Sequence, residues 1–326
     1  MYPLKFYSIY FKKIWGGREL EAYKDDLPAG NIGESWDVAC HEDGTSVIAN
    51  GSYKDMALDK LIEEKGDELV GSKIEKDRFP LLLKLINSND KLSIQVHPDD
   101  DYGYRVENDS GKTEAWYVVD AKEGAELIVG VKSGCTKEEF KKAIEEGTLE
   151  EYMNKIKIQK GDTYFIQSGL IHAICEGAII AEIQQNSNTT YRVYDYNRGR
   201  EIHVDKALDV VDLGLEGKKR VGLKLEKEGY SKTYLCLAKE FSLEKYEVRD
   251  KFTESSDPER FYIFTCVEGQ GTLSYNGGSE NVKSGESVLI PAALGEYSFI
   301  GNMVLLKSYV PDLEKVEKEI IQVIKG

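Results

Sequence analysis

The sequence predicts a mainly β protein made of two barrel units with a few helices, and three observations carry that expectation. Short alternating runs such as Lys112 to Val119 and Tyr191 to Tyr196 dominate the middle of the chain, the period-two pattern of strands with one buried face. The 30 glycines and 20 tyrosines suit strands joined by tight turns. Two segments also look like weak copies of one barrel unit. Lys160 to Gly169 and Ser284 to Pro291 each turn at a glycine followed by an acid, then run into an apolar strand.

Taken in order, helical periodicity appears at Met56 to Glu75, at Thr136 to Ile156 and at Asp312 to Ile324. In the second of these, Thr136 and Glu139 have the spacing of a capping box. Arg260 to Ser274 reads as strand, tight turn, strand, with Glu268-Gly269-Gln270-Gly271 as the turn. The stretch from Leu213 to Lys227 is rich in Gly and Lys and is the best place for a domain connection. We set the boundary at Gly217: residues 1–217 form one domain with N-terminal strands and a helical insertion, and 218–326 form a barrel-like domain ending in a helix. The first repeat is followed by His172, whereas the corresponding stretch of the second, Ala292 to Ser298, has no histidine, so only the first barrel is expected to hold a metal.

A length of 326 residues with 41% hydrophobic content is enough for two or three packed units. No stretch approaches the eighteen or so apolar residues of a membrane span, and Met1 to Tyr7 lacks the regions of a signal peptide, so a cytoplasmic protein is expected. The net charge of −15 argues against nucleic acid or an anionic membrane as partner, since both would be repelled. Five cysteines, Cys40, Cys135, Cys175, Cys236 and Cys266, are odd in number and lack paired spacing, which suggests neither a disulfide framework nor a thiolate metal site.

Gln95 and His97 lie two apart in the run Leu92 to Asp100, so an extended strand points both the same way. With Glu114 and His172 downstream they read as one divalent-metal site. Imidazole and carboxylate suit zinc or another first-row ion, and an amide is seldom chosen for a purely structural zinc, so the mixture points to a catalytic ion with room for water or substrate. The chain has four histidines; His41 and His203 lack ligand-spaced neighbours and are read as exposed polar residues. Lys84 sits in the otherwise apolar run Pro80 to Ile86, where burial without a partner would be costly, so it should face a phosphate or a carboxylate. Alternation puts Arg192, Tyr194 and Tyr196 on one face of their strand.

With these residues in hand, the chain resembles the type I phosphomannose isomerases, in their short bacterial form. The resemblance is carried by Ile14-Trp15-Gly16-Gly17, Ile32 to Val38, Phe79 to Ile86 leading into Leu92 to Asp100, Gly111 to Tyr117 and the run from Gly169 to Arg198, covering residues 1 to 210. It implies cupin (jelly-roll) barrels, and a zinc enzyme that interconverts mannose 6-phosphate and fructose 6-phosphate through an enediolate. It further implies one zinc per chain on Gln95, His97, Glu114 and His172, with Lys84, Lys112, Glu182 and Arg192 around the sugar phosphate. Glu182, Lys112 and Arg192 are then the catalytic candidates, and Lys84, Lys112 and Arg192 the substrate-binding ones. For the base, Glu182 would need a raised pKa and Lys112 a lowered one, and the sequence leaves both open. Asn188 stands where longer members have an Asp, which puts any role of that Asp in doubt. A monomer or weak homodimer is expected, acting on a small sugar phosphate. The competing readings are a metal cupin for another sugar phosphate, an iron dioxygenase, against which Gln95 argues, and a non-catalytic sugar-binding barrel.

Overall fold

The period-two runs become strands in a computed structural model that describes residues 1–325; Gly326, the last residue of the expected second domain, lies outside them. The chain forms two compact units, one of residues 9–36 and 82–220, the other of 1–8, 37–81 and 221–326. This differs from a single cut at Gly217. The strand Leu4–Tyr7 pairs antiparallel with Ser287–Ile290 and with Val47–Ile48, so the N-terminal strand and the segment after Trp36 join the C-terminal part by backbone hydrogen bonding.

In the first unit a six-stranded sheet runs in the order Thr163–Ile166, Glu114–Ala121, Ala178–Gln185, Leu81–Ser88, Ile32–Val38, Ile9–Gly17. A five-stranded sheet runs Met153–Lys157, Glu126–Val131, His172–Ile174, Ile94–Val96, Tyr191–Tyr194. Trp15, Ile86, Trp116, Val118 and Ile180 of the larger sheet pack against Leu127, Val129 and Ile174 of the smaller. The unit is thus a jelly-roll pair of facing sheets, with no single ring of strands closing it. Phe140, Ala143 and Ala207 of two helices cover Ile94, Ile128 and Ala173 on the outer face of the smaller sheet.

The other unit is built on a ten-stranded sheet whose strands Tyr262–Tyr275 and Glu296–Tyr309 pair along their length. Phe252, Phe264, Val288, Tyr297, Phe299 and Leu305 form its core. Here the turn expected at Glu268-Gly269-Gln270-Gly271 is absent. The strand continues through it, with a shift of register between Cys266 and Glu268 and Gly269 at φ +75°, so the glycine serves a bulge.

Of the expected helices, Asp312 to Ile324 appears as Leu313–Lys325. The stretch Met56 to Glu75 is helical only over Leu58–Lys65 and Asp67–Val70, because Gly66 at φ +48° breaks the run. Thr136 caps a helix over Lys137–Glu146 with the expected capping box, but Gly147 in the left-handed region ends it, and Met153 to Ile156 belong to a strand. Among the described residues no helix is long and apolar enough to cross a membrane.

Candidate metal centre and active site

Pairing across the smaller sheet brings three of the candidate side chains into line. His172 lies opposite Gln95, and Arg192 lies opposite Gln95 from the other side. On the larger sheet Glu182 is the cross-strand partner of Trp116, two residues after Glu114. The facing sheets thus present one set of side chains to the other.

The imidazole nitrogens of His97 and His172 and a carboxylate oxygen of Glu114 lie within 4.8 Å of one another, all buried. Among the described residues this is the one group of three or more His, Cys, Asp or Glu side chains so placed. Each imidazole is set by a carbonyl, which can only accept. His97 Nδ1 donates to the Thr189 oxygen at 2.9 Å and His172 Nδ1 to that of Leu170 at 2.8 Å, so both Nε2 atoms carry the lone pair. His172 Nε2 is buried with no hydrogen-bond partner. Burial, with the Lys112 ammonium adding to it, pulls His97 down to about 3, and burial lowers His172 as well. Two neutral imidazoles, one with an orphaned lone pair, and a carboxylate fit a divalent ion of zinc type.

Glu114 is held ionised: burial works against its charge, but the Lys112 ammonium, with Nζ at 2.6 Å, keeps it well below the usual carboxylate range. Glu182 goes the other way. Burial and then the negative charge of Glu114 push it up to about 7, against the attraction of Lys84, whose Nζ lies 3.4 Å from Glu182 Oε1. The sequence-based requirement for Lys84 is met by that carboxylate and by the Trp36 ring, 5.0 Å from its Nζ. Lys112, which would need a lowered pKa to act as base, is instead raised. Burial opposes its charge, but Glu114 and Glu182 outweigh it.

Beside this cluster an open cavity of about 280 Å³ lies between the sheets, near the lower end of the ~300–1,000 Å³ common for small-molecule sites. Gln95, Lys84, Lys112, Glu182 and Arg192 all line it, as does Asn188. Gln95 is only half-buried, and its side-chain oxygen accepts from Ser93 Oγ at 3.4 Å. Arg192 is steadied through Nε to Ser93 Oγ at 3.2 Å and through Nη1 to the Glu201 carbonyl at 2.8 Å. His203 is half-buried and its Nδ1 accepts from the Arg192 backbone N–H, so it supports that strand and is not a loose surface residue. His41, also half-buried, accepts the Asp43 backbone N–H through Nδ1.

Lys13, Glu34, Trp116 and Arg200 are polar or aromatic residues of the cavity wall to which the sequence reading gave no role. Glu34 takes Lys13 Nζ at 3.0 Å and the Trp36 indole N–H at 2.8 Å. Burial would raise it, but Lys84 and Lys13 hold it down at about 2. Its signal was present in the strand Ile32–Val38, where Glu34 and Trp36 stand two apart just as Glu114 and Trp116 do.

Known proteins resemble this chain over nearly its whole length. Residues 4–143 match the family described as phosphomannose isomerase type I, catalytic domain, and residues 230–310 match the mannose-6-phosphate isomerase cupin domain. Mannose-6-phosphate isomerase ManA of Bacillus subtilis is 35% identical over 315 residues, covering 94% of this chain and 99% of its own length. The crystal structure of the mannose 6-phosphate isomerase from Bacillus subtilis superposes with a TM-score of 0.89 at 35% identity, over 94% of this chain and 99% of that one. A mannose 6-phosphate isomerase solved with zinc and yttrium shares the fold, with a TM-score of 0.76 at 16% identity over 94% and 99% of the two chains.

Proposed function

The chain belongs to the type I phosphomannose isomerase family, and from that premise we propose that it interconverts mannose 6-phosphate and fructose 6-phosphate, using one zinc ion per chain and passing through an enediolate. The observation that carries this reading is the convergence of two carbonyl-pinned imidazoles and Glu114 within 4.8 Å, beside a buried Glu182–Lys84 pair on the cavity wall. His97, Glu114 and His172 would hold the ion, with Gln95 as the fourth ligand. Zinc, when bound, supplies a Lewis acid that polarises the sugar carbonyl and neutralises charge on the adjacent oxygen.

Glu182 is the base. Its carboxylate takes the C2 proton of the open-chain aldose and returns it to C1, and a carboxyl whose pKa lies close to neutrality can do both. Lys112, kept protonated by Glu114, stabilises the negative charge that develops on the substrate oxygens. Lys84 holds Glu182 on its other oxygen and brings positive charge to the wall, and Arg192 grips the phosphate, for which its fork geometry is suited. The local cations offset the −15 charge of the chain, which would otherwise repel a dianionic substrate. The same reading places the enzyme in the cytoplasm as a monomer or weak homodimer, with neither nucleic acid nor membrane as partner. A coupled assay of mannose 6-phosphate turnover, run alongside metal analysis of the purified chain, tests the proposal. Zinc-dependent formation of fructose 6-phosphate supports it, and a zinc-loaded chain without turnover refutes it.

A further inference from the structure

One side chain touches both carboxylates of the site and neither the family matches nor the ligand set accounts for it. Trp116 is 1% exposed, stands on the same strand face as Glu114, and pairs across the sheet with Glu182. Its single indole N–H is shared: Nε1 lies 2.9 Å from Glu114 Oε2 and 2.9 Å from Glu182 Oε2. The ring also meets His172 edge-on, with centroids 5.3 Å apart and planes at 79°.

The consequence is geometric. Because both Oε2 atoms turn toward the indole, Glu114 is left with Oε1 toward His97 and Lys112, and Glu182 with Oε1 toward Lys84. Two buried carboxylates side by side repel, and without a shared donor each would be free to rotate its oxygens away from the other. We propose that Trp116 is a positioning residue for the isomerisation: its indole N–H fixes the Glu182 carboxylate against the metal-side carboxylate of Glu114, and it acts on turnover through Glu182. A hydrogen bond to a charged group in a dry site also leaves an unsatisfied acceptor when it is removed, so the indole N–H is not replaceable by packing alone.

This inference rests on Glu182 as the base, and the test separates the two. Trp116→Phe keeps a ring and removes the donor. With zinc saturating, kcat for mannose 6-phosphate should fall ~10–100-fold, the range for partners that orient site ligands, while KM stays within about twofold. A merely structural role would lower the yield or the melting temperature without that split. In Trp116→Phe/Glu182→Gln, kcat should equal that of Glu182→Gln alone, because a residue that works through Glu182 has nothing left to position. If Glu182→Gln keeps wild-type kcat, the assignment of the base fails. If Glu182→Gln is impaired but Trp116→Phe is not, or if the double variant shows the product of the two losses, the role of Trp116 is overturned. Should Trp116→Phe not fold, the indole proton resonances of Glu182→Gln carry the test. One of the three must shift well beyond the others relative to wild type, and three unchanged indole signals contradict the proposal.

Discussion

Each unit of the molecule sets two glutamates and two lysines around an aromatic donor that bridges the carboxylates, yet only one arrangement is set up for chemistry. In the first unit the Trp116 N–H spans Glu114 and Glu182, with Lys112 on the former and Lys84 on the latter. In the other, the Tyr246 hydroxyl lies 3.1 Å from Glu244 Oε2 and 2.6 Å from Glu254 Oε1, with Lys232 on Glu244 and Lys307 on Glu254. The difference lies in how far each carboxylate is satisfied. Glu254 receives Lys307 at 2.7 Å and the hydroxyls of Tyr246 and Tyr297, and although burial would raise it, Lys307 above all holds it at about 2. Glu182 has one shared indole N–H and an ammonium at 3.4 Å, with Glu114 repelling it, and is pushed up to about 7. A fully bonded carboxylate is an inert structural anion, and an underbonded one beside a second carboxylate can hold and release a proton. The second unit also has no histidine in the stretch that corresponds to His172, and among the described residues it brings together no comparable ligand group.

The largest effect should come from the ligands that only the first unit owns. His172→Ala removes the orphaned Nε2, and the purified variant should contain no stoichiometric zinc and show turnover at background in the coupled assay. Next, Glu182→Gln should retain zinc while kcat drops ~10²–10⁴-fold, the usual size of a lost general base. The pH profile sharpens this point. A base with a raised pKa is protonated, and idle, on the acid side, so kcat/KM should climb with pH through a midpoint at or below about 7 and level off above it. The midpoint can only move down from there when a cation binds nearby, and this limb should vanish in Glu182→Gln.

The second unit should respond in stability and not in turnover. Lys307→Met leaves the Glu254 carboxylate without its cation, and breaking such a pair costs ~3–5 kcal/mol in urea unfolding, while kcat and KM of the folded fraction stay at wild-type values. A loss of turnover there would mean that the second cluster takes part in catalysis. The smallest effect is expected at Thr136→Ala, which removes the capping box of the helix Lys137–Glu146. It should lower stability by ~1 kcal/mol and leave kinetics unchanged.

Much of the site was legible from local pattern because its ligands sit two apart on strands or follow them closely. Gln95 and His97 share a face by alternation, and Lys84 betrayed its need for a partner by interrupting an apolar run. Trp116 was hidden because its meaning depends on which strand lies beside it. Its indole reaches Glu182 only through the pairing of Glu114–Ala121 with Ala178–Gln185, a contact 66 residues apart in sequence. Non-local pairing also explains why residues 1–8 group with the C-terminal part, since Leu4–Tyr7 hydrogen-bonds to a strand some 280 residues later and no local composition records that. The overlong helix at Met56 to Glu75 and the false turn at Glu268 to Gly271 share another cause. A glycine at positive φ can end a helix, as Gly66 does, or bulge a strand, as Gly269 does, and the residue type alone does not say which.

Turnover is expected to depend on a metal held by His97, Glu114 and His172 near Glu182, and a zinc titration of the stripped protein tests this most directly. After exhaustive chelation the chain should have no isomerase activity toward mannose 6-phosphate, and activity should return in proportion to added zinc, reaching its plateau at one ion per chain. Full turnover in the chelated protein, or zinc uptake that leaves activity at zero, would contradict it.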